Sequence, residues 1–138
     1  MDFKTFTQHA KRTMTPSPDE DPWRGYMLGL FGETGEVLDL VKKVVFHQHP
    51  LEGDKRQKLL EEIGDVSWYV AALSVTFGVE LAEPDGAEEH EQGVEGLTSA
   101  AERLGHSVAT AWTTIHAGEV EATAGVLEAV LAALSRMS

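Results

Sequence analysis

Residues 32–43 read GETGEVLDLVKK. Apolar residues recur there at helical spacing, yet Gly29, Gly32 and Gly35 stand in or beside the same stretch. A glycine in a helix interior costs about 1 kcal/mol relative to alanine, so a helix here must gain something from the space that its glycines leave. Glu33 and Glu36 lie one turn apart. On a helix advancing about 100° per residue, Glu33, Glu36, Leu40, Lys43 and His47 fall within a sector of about 80°. The segment is a helix with an acid face.

The pattern recurs downstream, in KRQKLLEEIGDVSWYVAALSVTF at 55–77. Around Glu62, the residues Lys58, Asp65 and Tyr69 share a sector of about 60°. Helical periods run through the rest of the chain, without a convincing strand. They predict helices over about 2–13, 23–47, 54–78, 94–117 and 119–137. Pro22 suits a helix start, Asp54 an N-cap, Gly78 a helix end, and Gly118 a junction. The expected fold is all-α, an antiparallel bundle of about five helices. One domain covers 1–138, with a motif core at about 23–78, an acidic linker at 79–93 and a C-terminal helical pair at 94–138.

A chain of 138 residues can bury a core without staples. It contains no cysteine, which excludes disulfides, thiolate metal sites and cysteine nucleophiles. Its net charge is −12. Residues 1–78 carry 9 Lys/Arg against 12 Asp/Glu, and residues 79–138 carry 2 against 11. That balance repels a polynucleotide backbone and an anionic membrane surface. The opening MDFKTFTQHAKRT lacks the apolar run of a signal peptide, and no segment has the roughly 18 apolar residues of a membrane helix. A soluble, cytoplasmic protein is expected.

Acid pairs on helices are commonly solvated faces. Here each pair is embedded in apolar sequence, LGLFGETGEVLDL and LLEEIGDVSWYVAAL, and a short turn lets the two faces converge. Two unit charges 4 Å apart repel by about 4 kcal/mol at an effective dielectric of 20, so four converging carboxylates call for a cation. All-oxygen ligation selects a hard ion, Mg²⁺ with Mn²⁺ as substitute, over zinc. The Glu-x-x-His motifs of di-iron bundles are absent from both helices. Such an ion is typically completed by substrate phosphates. Gly29, on the acid side, is expected to clear space for ligand, and Gly32 and Gly35 to admit close helix packing.

The run GLFGETGEVLDLVKKVVFHQHPLEGDKRQKLLEEIGDVSWYVAAL, with its ExxE pair followed by ExxD, resembles the MazG-like branch of the all-α nucleoside triphosphate pyrophosphohydrolases. The resemblance implies cleavage between the α and β phosphates, giving a nucleoside monophosphate and pyrophosphate. By position it makes Glu33, Glu36, Glu62 and Asp65 the metal ligands; it implies that one acid orients or deprotonates the attacking water without fixing which, and Glu36 is the candidate taken here. It also implies a homodimer or higher homo-oligomer that completes the bundle. Lys43 is a phosphate-binding candidate or a solvated charge. His47, beside His49 in FHQHP, is a substrate-binding candidate or a helix cap. Tyr69 contacts a nucleobase or packs in the core. The chain departs from the family beyond the ExxD helix, where Arg103 and Arg136 are the only Lys/Arg. The second function class is therefore a non-catalytic nucleotide- or metal-binding helical interaction module. YVAALS and VLAALS, ending comparable helices, hint at a degenerate repeat against a background of ordinary alanine-rich packing.

Overall fold

In the computed structural model, residues 1–15, 18, 21–84 and 93–138 are described; they form five α-helices and no strand. These are α1 (Phe3–Thr13), α2 (Trp23–Phe46), α3 (Asp54–Phe77), α4 (Gly93–His116) and α5 (Val120–Ser135). The expected all-α architecture and helix count hold, with ends shifted by a residue or two. The first helix is capped by Asp2, whose carboxylate accepts from Thr5 N–H at 2.7 Å. Asp54 is not the cap of α3 but lies in its first turn; Gly53, at φ +51°, precedes it. Gly78 ends α3 in the left-handed region, donating to the carbonyls of Ser74 and Val75. Such a φ is inexpensive only for glycine.

Two hairpins face each other. Helix α2 packs on α3, and α4 on α5; across the bundle, α2 meets α4 and α3 meets α5. The apolar stripes of these four helices meet in one core, where Met27, Leu30, Val37, Val66, Val70, Leu73, Leu104, Leu127 and Val130 are fully buried. The C-terminal pair covers the motif hairpin within one chain.

Helix α1 lies against α3. Trp68 Nε1 donates to Thr13 Oγ1 at 2.8 Å, fastening the end of α1, and the indole meets Tyr26 and Tyr69 edge-on. Residues 79–84 are tied down rather than loose. Glu83 accepts from Phe3 N–H, Glu128 accepts from Ala82 N–H at 3.0 Å, and Glu80 pairs with Lys4 at 3.6 Å. The rest of the expected acidic linker, 85–92, lies outside the described residues.

The glycines of α2 divide differently from expectation. A Cβ on Gly29 would lie 2.2 Å from the Tyr69 ring, so this glycine makes room for an aromatic side chain of α3 and not for a ligand. A Cβ on Gly32 or Gly35 would meet nothing within 4 Å, so neither admits a neighbouring helix of the same chain. Gly29→Ala gains up to about 1 kcal/mol of helix propensity but forces the ring aside, an overpacking cost of about 1–3 kcal/mol. It should lower stability in chemical denaturation. Tyr69→Ala in the same chain should remove most of the penalty, as a double-mutant cycle will show.

Candidate metal centre

The acid face of α2 meets that of α3 at the middle of the hairpin. Carboxylate oxygens of Glu33, Glu62 and Asp65 all lie within 4.8 Å of one another. Each is placed by its neighbours in sequence. Val66 and Val70 drive their side of α3 into the core, which carries Glu62 to 3% exposure. Glu33 is half-buried beside Val37 and Leu30, and Asp65 is exposed at the rim.

Oxygens sharing one Mg²⁺ at about 2.1 Å can be at most about 4.2 Å apart. A group spanning 4.8 Å reaches that limit by small side-chain adjustment. Three carboxylates of differing burial, with no sulfur or imidazole among them, suit a hard divalent ion.

The electrostatics show what the cluster costs without an ion. The Glu33 carboxyl is pushed above its ordinary range, first by burial, then by a hydrogen bond shared with Glu62, then by the charges of Asp65, Glu62 and Glu36. Lys58 offsets part of this by pairing with Glu62, one turn along α3. That contact raises the Lys58 ammonium pKa, chiefly by hydrogen bonding to Glu62 and then by its charge. The i, i+4 spacing of Lys58 and Glu62 was the sequence signal for this pair, although the wheel alone assigned the lysine no role.

Other expected site residues fall outside the group of three. Glu36 is exposed one turn beyond Glu33 and is not in the group, although its charge is felt by Glu33, Lys43 and Lys58. Lys43 is committed to Asp39, its Nζ lying 2.6 Å from Oδ2. Lys42 and Lys43 together draw the Asp39 pKa down to about 2 through hydrogen bonds. His47 is exposed just past the end of α2, as a helix cap, with its ring 6.2 Å from that of His49. Tyr69 packs over Gly29, half-buried, which supports its core reading. Glu61 points elsewhere and accepts from Gln57 at 3.2 Å.

Residues 23–83 match the MazG nucleotide pyrophosphohydrolase domain family. This segment is MazG-like. The match spans α2, the turn and α3, the elements that supply all three clustered carboxylates. Among known proteins, Gene 37 protein of Mycobacterium phage L5 is 39% identical over 56 residues, covering 40% of this chain and 49% of that protein. The chain thus spans about half the length of that curated relative. No solved structure matches the chain. Among the described residues, no helix is long and apolar enough to cross a membrane.

Two outcomes follow from the MazG-like centre. Folding raises the Glu33 pKa above its ordinary value of 4.5, so the folded chain holds that proton to higher pH than the unfolded chain does. Ionising Glu33 therefore opposes folding; the penalty is absent well below 4.5, grows as pH rises through the interval up to the raised value, and is complete above it. In metal-free buffer, Glu33→Gln should melt higher than the parent at neutral pH, with the gain vanishing on acidification to about pH 4. Millimolar Mg²⁺ or Mn²⁺ should stabilise the parent through mass action, by about 2.7 kcal/mol at a hundredfold excess over Kd, and so raise its melting temperature. Glu62→Gln should remove most of that rise in a thermal scan.

Proposed function

We propose that the chain is a nucleoside triphosphate pyrophosphohydrolase that uses Mg²⁺, or Mn²⁺ in its place, to cleave between the α and β phosphates. The products are a nucleoside monophosphate and pyrophosphate, a chemistry that suits the removal of unwanted nucleotides. The observation that carries this reading is the convergence of Glu33, Glu62 and Asp65 inside the MazG-like segment.

When bound, the divalent ion supplies positive charge against the phosphates. Glu33, Glu62 and Asp65 hold it, the buried Glu62 fixing the position because its side chain has little room to move. Glu36, one turn from Glu33 and outside the group, keeps its oxygens available to orient a water or accept its proton. With Glu62 holding the ion, Lys58, now paired with Glu62, would be free to meet a substrate phosphate. Phosphoryl-type displacement needs positioning and charge neutralisation more than covalent help, which this set of residues can provide. Lys43 and His47 lie towards the end of α2 and act, if recruited, on the far end of the substrate; Tyr69 supports the α2–α3 approach. Pairing of two copies, which the resemblance implies, leaves this centre intact because all three clustered carboxylates come from one chain.

A panel of common, deoxy and oxidised nucleoside triphosphates, assayed with Mg²⁺ and Mn²⁺, tests the proposal. Turnover should yield monophosphate and pyrophosphate. Glu36→Gln should lower it by at least about a hundredfold while preserving most of the metal-induced rise in melting temperature. A diphosphate with free phosphate would place attack at the γ position and refute the reading. Binding of a triphosphate with no turnover across the panel would favour the non-catalytic module, with the scarcity of cations after Lys58 as its physical reason.

A further inference from the structure

A cavity of about 920 Å³ opens at the turn end of the bundle, where the end of α2, the start of α3, the start of α4 and the end of α5 come together. None of Glu33, Glu62 and Asp65 lines it. Its walls are aliphatic: Val44 and Val45 of α2, Leu51 of the turn, Val94 and Leu97 of α4, and Met137 just beyond α5. Packed interiors leave few voids larger than a water molecule. Clefts of about 300–1,000 Å³ between the helices of a bundle are the size that small-molecule sites occupy.

Among the described residues, the charged side chains that line this cavity are Arg56 and Arg136. They come from opposite hairpins, one from the first turn of α3 and the other from just past the end of α5. The chain has a net charge of −12, and Arg136 is one of only two Lys/Arg after residue 78. Two guanidiniums thus share an aliphatic cavity in a chain that otherwise repels anions. We propose that this cavity binds a small anion with an aliphatic body, its carboxylate or phosphate head held by Arg56 and Arg136 and its chain laid along Val45, Leu97 and Met137. The planar fork of a guanidinium matches both head groups. No Trp, Tyr or Phe lines the cavity among the described residues, so a nucleobase finds no such ring to stack on, and the body is aliphatic.

The turn that forms one wall is fixed in place. His49 N–H donates to the Lys43 carbonyl at 3.2 Å, folding the turn back on α2. Lys55 Nζ donates to His49 Nδ1 at 2.9 Å, tying the same residue to the start of α3. Beside it Gln48 sits at φ +54°, a conformation that residues with a side chain rarely adopt. Gln48 lines the cavity, and its carboxamide can donate to an anion that the guanidiniums hold. Arg56 forms no ion pair among the described residues, so its charge is available to a ligand. The inference is independent of the proposed activity, because the cavity shares no carboxylate with the metal centre.

Isothermal titration of the full chain with octanoate and with octyl phosphate, in metal-free buffer, tests this. In that buffer the carboxylates of the metal centre repel both probes. At least one probe should bind at about one per chain, and the tighter of the two identifies the head group that the guanidiniums prefer. Octylammonium, with the same chain and the opposite charge, should bind at least about tenfold more weakly, and Arg56→Gln should weaken binding of the anion by about tenfold or more. Val94 is 53% exposed, so Val94→Trp puts a ring into the cavity without opening the core, and should abolish binding. Val120, 54% exposed, begins α5 while the cavity lies at its end, so Val120→Trp should leave binding unchanged. All three variants should match the parent in helicity and in melting without ligand. Failure of both probes to bind, equal binding of octylammonium, or binding that neither Arg56→Gln nor Val94→Trp weakens would overturn the proposal.

Discussion

The mutual repulsion of Glu33, Glu62 and Asp65 is the constraint that the α2–α3 hairpin has to withstand. Like charges at such separations cost several kcal/mol at the dielectric of a protein surface, and Glu62 additionally surrenders most of its water. Two local devices lessen this cost. Glu33 holds its proton to higher pH and shares it through a hydrogen bond with Glu62, and Lys58 sets an ammonium against the Glu62 carboxylate. Neither supplies the binding energy of the hairpin. That comes from Met27, Leu30, Val37, Val66, Val70 and Leu73, buried on the adjoining sides of the same helices.

The C-terminal hairpin answers the same constraint at longer range. A two-helix unit carrying an acid cluster along one seam has too little apolar surface to stand alone, and α4 and α5 double it by covering α2 and α3 respectively. Leu104, Val108, Leu127 and Val130 are the residues that do this. Their region holds little positive charge, so the part of the chain that supports the centre contributes little to holding anionic phosphates. Under the proposed function, recognition of a triphosphate would rest on the ion, Lys58 and cations of the first half.

Gly29 and Tyr69 show how closely the two motif helices are fitted. The ring occupies the space of a missing Cβ one turn from Glu33, and this sets the approach of α2 to α3 near the carboxylates. Trp68, alongside, carries the fastening of α1 through Thr13. Two adjacent aromatics thus serve two different interfaces, because successive residues on a helix point about 100° apart.

The sequence by itself determined the all-α class, the five helices and the two acid faces, since hydrophobic period, the Gly78 stop and the i, i+3 acid spacing are local properties. It also placed Glu33, Glu62 and Asp65 together, because each lies near the core edge of its own helix. What only the tertiary structure decided was which side of each helix another element covers. Glu36 lies on the same sequence face as Glu33 but about 60° farther from the core centre, and it falls outside the group. Lys43 faces the acid sector on a wheel, yet Asp39 one turn away reaches it first. Gly29 had an open face in the sequence until α3 delivered a ring into it, and Gly32 and Gly35 had neighbours in expectation that the fold did not supply. The completion of the bundle by α4 and α5 was equally hidden, because a helical period specifies an apolar stripe but not the helix that covers it.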